Sequence, residues 1–263
     1  AEAPATEPGS AGAIGDLGFS RWLRTNTIVQ KQDGYRIATV KLPLGDITAE
    51  QMRHLADLSR TYGNGEVRAT NTQNFILRWV PENRLFGLYR ALGLIGLSEA
   101  DAGHITDVVS CPGMDYCSLA ITKSMQLGAK IRAHLLPDGS RAEQDDLVRK
   151  IGSFEIKISG CPNSCGQHHV ADIGMTGLML KDAEGNEKPH YSLRVGGGCG
   201  EDARIGQRLG GRVPEEETPK VIAALARYYV EQRTEGETFR DFVSRKGSDD
   251  LSKVGLAAAT GVV

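Results

Sequence analysis

The chain has 263 residues, enough for one large domain or two small ones at roughly 150 residues per domain. Apolar residues make up 40% and charged residues 24%, so a packed core is possible and wholesale disorder is excluded. Lys and Arg number 31 against 33 Asp and Glu, and a net charge of −2 lacks the basic excess of a nucleic-acid binder.

Charge-free runs such as Ala91–Ser98 and Val254–Val263 fall far short of the ~20 residues that span a bilayer. No basic residue precedes Arg21, which argues against a secretory signal. The five cysteines, an odd count, do not suit a secreted disulfide scaffold, so a reducing, cytoplasmic setting is expected.

Residues 1–20, rich in Ala, Pro, Gly and Glu, read as a linker or disordered segment. Tyr35–Leu42 has strand composition. Thr48-Ala49-Glu50-Gln51 is a capping-box pattern, and Met52, Leu55 and Leu58 then share one helical face until Gly63-Asn64-Gly65 stops the helix. Glu66–Thr70 and Asn74–Val80 read as strands and Glu82–Leu92 as a helix. The order β-α-β-β-α points to an α+β layer of helices on a mainly antiparallel sheet.

Beyond a boundary expected near residues 98–110, a long helix is read from Ser118 to Leu136 and a polar connection over Arg141–Lys150. Strands are read at Phe154–Ser159, Ile173–Leu180 and Tyr191–Val195. Thr218-Pro219 is read as the N-cap and first-turn proline of a helix through about Arg233. Asp249–Val263 has no clear pattern and reads as a tail.

The chemistry concentrates in two cysteine pairs. Cys111 and Cys117 have five residues between them, Cys161 and Cys165 have three, and 43 residues separate the pairs. Thiolate is the soft ligand that iron–sulfur clusters use, and the adjoining Gly and Pro residues suit tight turns whose amides can point at sulfur. Structural zinc commonly takes closer ligand spacing within a pair, so a zinc-stapled scaffold fits poorly. Four buried, inert thiols are the bland alternative, which the pairing and the paired Pro and Gly disfavour.

With these cysteines in place the sequence resembles the sirohaem-dependent nitrite and sulfite reductases. Cys-x5-Cys followed by Gly160-Cys161-Pro162-Asn163-Ser164-Cys165-Gly166 is similar to that family's signature. Val40–Thr48, Val67–Arg84, Cys165–Gly177 and Ser192–Gly206 extend the likeness over roughly residues 20–247, to the second half-repeat of a family whose typical members are about twice this length. The resemblance implies a linker over 1–20, a ferredoxin-like half-domain over 21–100, an α+β [4Fe–4S]/sirohaem-binding domain over 101–247 and a tail over 248–263. It implies that Cys111, Cys117, Cys161 and Cys165 hold a [4Fe–4S] cluster, that Cys165 also ligates the sirohaem iron, and that Asn163 and Gly160 neighbour the haem.

The implied activity is six-electron reduction of nitrite to ammonia or of sulfite to sulfide, with the Gly166-Gln167 to Gly174 wording nearer the nitrite branch. The implied donor is ferredoxin, or else a flavoprotein. Lys41, Arg68 and Arg78 lie on corresponding strands and are candidates for gripping the small anion, against a plain solvated or carboxylate-paired role. In two-repeat members the grip comes mainly from the first half, so a first-half chain or a homodimer could complete the site. The alternatives are a non-catalytic cluster-carrying electron-transfer or assembly subunit, and a relative of the cobalamin-pathway precorrin monooxygenase.

His168-His169 invite a metal or proton-relay role but read better as packed or solvated side chains. Cys199, in Val195–Gly200, lies in neither G-x-G-x-x-G nor a Walker pattern and reads as a small residue in a tight turn. Tyr228 and Tyr229 should place one ring inward and the other outward.

Overall fold

A computed structural model of the chain describes residues 15–136, 141–201 and 203–260. Its Cα framework divides into two compact units, one ending at Gly103 and the other beginning at His104.

The first unit opens with helix α1, Leu17–Asn26. Asp16 caps it by accepting from the Phe19 amide at 2.8 Å, and Phe19 and Trp22, three apart on one face, go into the core. The linker expected over 1–20 is therefore corrected at its end: Leu17–Ser20 are helical because a cap and an apolar stripe begin there. Residues 1–14 lie outside the described residues.

Strands β1 (Thr27–Val29) and β2 (Tyr35–Val40) precede helix α2 (Ala49–Tyr62). Both hydrogen bonds of the Thr48–Gln51 capping box are present, and Ser59 O accepts from Gly63 and Gly65 to end the helix. Strands β3 (Val67–Ala69) and β4 (Phe75–Pro81) follow, then a 3-10 turn at Glu82–Arg84 and helix α3 (Leu85–Leu94).

The sheet order is β1-β2-β4-β3, antiparallel throughout. Arg36 pairs with Val80 and Ala38 with Leu77, so Arg78 and Trp79 bulge out of β4. Trp79 has φ +60°, and its amide donates to Gln30 Oε1 at 2.7 Å. Trp22, Val40, Leu55, Leu77, Leu88 and Leu92 are fully buried between the helices and the sheet.

The second unit is built on a mixed sheet. Its elements are β5 (Val109–Ser110), helices α4 (Ser124–Leu135) and α5 (Arg141–Ile151), then β6 (Ile156–Ser159), β7 (Ile173–Lys181) and β8 (Glu187–Val195). Short strands β9 (Gln207–Arg208) and β10 (Val213–Pro214) lead to α6 (Thr218–Gln232), α7 (Phe239–Lys246) and α8 (Ser248–Ala257). The order is β10-β8-β7-β6-β5, with β9 on β8. β5, β6 and β7 run parallel, and β8 returns antiparallel to β7.

Four expectations are corrected here. The helix read from Ser118 begins at Ser124, because Ile121 and Thr122 both donate to Gly160 O and hold the preceding segment in turns. Arg141–Ile151 is helical rather than a connection, with Val148 and Ile151 buried three residues apart. The cap of α6 is Glu217, not Thr218, whose hydroxyl donates back to Pro214 O at 3.0 Å.

The tail expected over 248–263 is a docked helix through Ala257. Leu251 is buried, Gly255 lies against Val221, Ser252 Oγ accepts from the Gly210 amide at 3.0 Å, and Tyr228 OH donates to Asp250 at 2.5 Å. One apolar residue per turn and a single glycine make too short a stripe to stand out in sequence. Leu251→Ala is expected to cost about 3 kcal/mol, read as a lower midpoint for unfolding of this unit. A cost under about 0.5 kcal/mol, typical of a surface site, would mean that α8 is not docked. Of the tyrosine pair, Tyr229 is buried and Tyr228 half-buried.

Candidate metal centre

Parallel pairing sets the site. Val109 and Ser110 of β5 lie opposite Lys157 and Ile158 of β6, so Cys111 and Cys161 leave the same end of two neighbouring strands. The Cys111 amide extends the ladder to Ile158 O at 3.0 Å. A 3-10 turn at Gly113–Asp115 follows, and the Cys117 amide donates to Gly113 O at 2.9 Å.

The second loop packs directly on the first. Gly160 N donates to Cys111 Sγ at 3.1 Å, and a Cβ on Gly160 would stand 2.8 Å from Thr122 O, so only glycine lets the loops meet this closely. Ser124, fully buried, donates to Cys111 O at 2.8 Å and has its Oγ 3.3 Å from Cys111 Sγ. Cys111 and Cys161 are buried, Cys117 is intermediate and Cys165 is exposed, all four unbridged. Among the described residues no three or more His, Cys, Asp or Glu side chains are drawn around a common metal position.

The donor set fits an iron–sulfur cluster. It consists of thiols on two packed loops, with a backbone amide aimed at one sulfur, which is how proteins bind such clusters and tune their potential. Beneath the loops Tyr191 Oη is buried and has no hydrogen-bond partner. Burial above all pushes its phenol well above the ordinary range. The nearby Thr122 hydroxyl, although short of hydrogen-bond geometry, pulls the other way.

The return from β6 to β7 is a crossover without an α-helix, ending in the 3-10 turn His168–Val170. Asn163 and Cys165 are exposed on it, and Gly160 is buried at its start. His168 is buried and its ring lies against that of His169, tilted by 32° with centroids 4.0 Å apart. Burial, helped by His169 and Arg194, pushes His168 down to about 4, so it is neutral at ordinary pH. The packed role expected for this pair holds for His168. Cys199 is exposed in a turn closed by reciprocal Gly198–Arg204 backbone bonds of 3.0 Å.

The three basic candidates lie in the first unit, and each holds a carboxylate. Lys41, fully buried, has its ammonium 2.8 Å from Glu99 Oε1 and 3.3 Å from Ala100 O. Arg68 and Arg78 share Glu66 Oε2 at 3.0 Å each, and Arg78 first, then Arg68, holds that carboxyl below its usual range.

Sequence reasoning missed three groups. Lys157, 1% exposed, pairs with Glu155 at 3.1 Å, and its only signal was a cation inside an apolar strand. Ser159 bonds the crossover. Asp172 accepts from the Glu155 amide at 2.8 Å, and burial raises it to about 6.

Asp172 and His168 work against each other as pH changes. Native Asp172 holds its proton up to about 6 instead of 3.8, so its contribution falls as pH rises through that window. Native His168 resists protonation down to about 4 instead of 6.5, so its contribution falls as pH drops through that one. Asp172→Asn keeps an oxygen for the Glu155 amide and removes the first slope. Its unfolding free energy is expected to rise by about 2 kcal/mol from pH 4 to 6.5, more steeply than wild type in urea titrations. Identical profiles would contradict the assignment.

An antiparallel four-stranded unit is followed by a mixed-sheet unit that carries two packed cysteine loops. Residues 28–95 match the nitrite/sulfite reductase ferredoxin-like half domain, and residues 102–256 match the nitrite and sulphite reductase 4Fe-4S domain. The chain belongs to the nitrite and sulfite reductase family.

It is 32% identical over 225 residues to the assimilatory ferredoxin-dependent nitrite reductase of Haloferax mediterranei, covering 85% of this chain and 37% of that protein. It is 30% identical over 209 residues to a ferredoxin sulfite reductase of Mycobacterium tuberculosis, covering 79% and 37%. The solved structure of Mycobacterium tuberculosis NirA superposes with a TM-score of 0.75 at 26% identity, over 86% of this chain and 41% of that one. The chain thus spans well under half the length of these relatives. Among the described residues no helix is long and apolar enough to cross a membrane.

Proposed function

We propose that this chain is the cluster-bearing half of a sirohaem-dependent reductase that converts nitrite to ammonia or sulfite to sulfide by six-electron reduction. The observation that carries this reading is the convergence of the two cysteine loops at one end of β5 and β6, with Gly160 N on Cys111 Sγ at 3.1 Å. Cys111, Cys117, Cys161 and Cys165 would hold the [4Fe–4S] cluster, and Cys165 would also serve as the ligand to the sirohaem. The exposure of Cys165 beside buried Cys161 supports giving it the bridging role. When bound, the cluster supplies electrons one at a time and the sirohaem supplies an iron for the anion.

The chain's own residues set the conditions for that chemistry. Gly160 N–H stabilises negative charge on the Cys111 sulfur and favours the reduced cluster. Gly160 and Asn163 line the loop at the haem edge. Lys41, Arg68 and Arg78 already hold carboxylates, so the residues that grip the anion come from elsewhere in the assembly, a first-half chain or a second copy. Ferredoxin is the donor that the relatives' names support, in a reducing cytoplasmic setting that suits five unbridged cysteines.

The same ion pairs favour a second reading, a cluster-carrying subunit without catalysis. One assay separates the two. The chain reconstituted with iron, sulfide and sirohaem should show red chlorin bands and a Soret band, and with its completing half it should oxidise reduced methyl viologen on addition of nitrite or sulfite. Bound cofactors without turnover would favour the carrier, and no chlorin bands would contradict the sirohaem assignment.

A further inference from the structure

The segment that carries Cys161 and Cys165 is tied down at both ends by the two adjoining histidines. Ser159, two residues before Cys161, has its Oγ 2.8 Å from His168 Nδ1 and accepts from the Gly166 amide at 3.2 Å. Ser164, next to Cys165, has its Oγ 2.9 Å from His169 Nδ1. Ser164 and Gln167 both take left-handed φ, +61° and +56°, and Gln167 N donates to Ser164 O at 2.8 Å. The backbone around Cys165 is thus held in a shape that non-glycine residues seldom adopt unaided.

Ser159 Oγ accepts from the Gly166 amide and shares one hydrogen bond with His168 Nδ1, whose donor is set by the imidazole tautomer. Ser159 and His168 are 1% and 2% exposed, which leaves water little access to compete for these bonds.

We propose that Ser159, Ser164 and the adjoining His168 and His169 form a clamp that presets the Cys161–Cys165 segment, with His168 as a positioning residue for the cluster. The proposal rests on the cluster-binding reading above. His168 is not one of the four thiol ligands assigned above. It holds Ser159, Ser159 holds the Gly166 amide, and that amide fixes the direction from which Cys165 presents its sulfur.

The test uses the whole chain, reconstituted anaerobically with iron and sulfide, and follows iron loss to a ferrous chelator together with the EPR signal of the reduced cluster. His168→Leu, which removes the ring nitrogen that bonds Ser159, is expected to release iron about 10–100-fold faster, the usual scale for losing an outer-shell partner, with an altered EPR signal. His168→Asn can place its amide oxygen where Nδ1 stood and should restore most of the retention. Ser159→Ala, a smaller change, should reproduce the Leu phenotype and decides the matter if His168→Leu does not fold. Wild-type iron retention and EPR in Ser159→Ala would overturn the clamp, even if the apo chain melts lower. Failure of the wild-type chain to take up any cluster would overturn the cluster reading itself, and the clamp with it.

Discussion

A chain carrying Cys111→Ser is expected to keep its fold and lose its cluster. Serine is nearly isosteric with cysteine, and its Oγ can still accept from Gly160 N and face Ser124, the contacts that Cys111 Sγ makes at 3.1 and 3.3 Å. The apo protein should therefore melt within about 1 kcal/mol of wild type, the net worth of one hydrogen bond. Iron binding is another matter. An alcohol is not a thiolate near neutral pH and lacks the soft sulfur that iron–sulfur chemistry requires. The loss should exceed the roughly 10–100-fold penalty of deleting an outer-shell partner. Iron and acid-labile sulfide per chain, measured beside a thermal melt, check both halves of this statement. Full iron occupancy in the variant would remove Cys111 from the ligand set.

The second large effect is structural. Gly174→Ala would drive a methyl group into the His168 carbonyl, a backbone group fixed by the crossover above it. The methyl also cannot rotate away, because β7 pairs on both sides here, Lys157 to one side and Arg194 to the other. Backbone overlap in a packed layer costs about 3 kcal/mol or more. For a unit of this size that lowers the melting temperature by roughly 6–12 °C. Because the displaced element carries His168, the variant should also load iron poorly. A melting temperature unchanged by the alanine would mean that the crossover does not lie on β7 as described.

What the sequence disclosed depended on how local the cause was. The Thr48–Gln51 capping box, the strands at Tyr35 and Phe75 and the proline in the first turn of α6 are set by neighbours within four residues. The cysteine pairs were legible for a related reason, since their spacing and the flanking Gly and Pro encode tight turns. Features that depend on distant partners were not. Lys41 meets Glu99 across 58 residues, and nothing near Lys41 announces that carboxylate. Arg78 joins Arg68 on Glu66, twelve residues away, only because β4 lies beside β3.

Amphipathicity misled in both directions. In α8, Leu251 alone supplies most of the buried apolar surface, so a docked helix looked like a tail. The turns before Ser124 continue an apparently helical composition, but the Gly160 carbonyl captures the Ile121 and Thr122 amides. The Ser159–His168 bond spans only nine residues, yet it forms because a crossover folds back over its own strand, a path that no periodicity records.

Elemental and spectroscopic analysis of the anaerobically reconstituted full chain tests the central claim most directly. About four iron and four acid-labile sulfide per chain, with a paramagnetic signal that appears on one-electron reduction, is the composition of one [4Fe–4S] cluster and the result this account predicts. Zinc without sulfide, or a colourless chain that retains no iron, would contradict it.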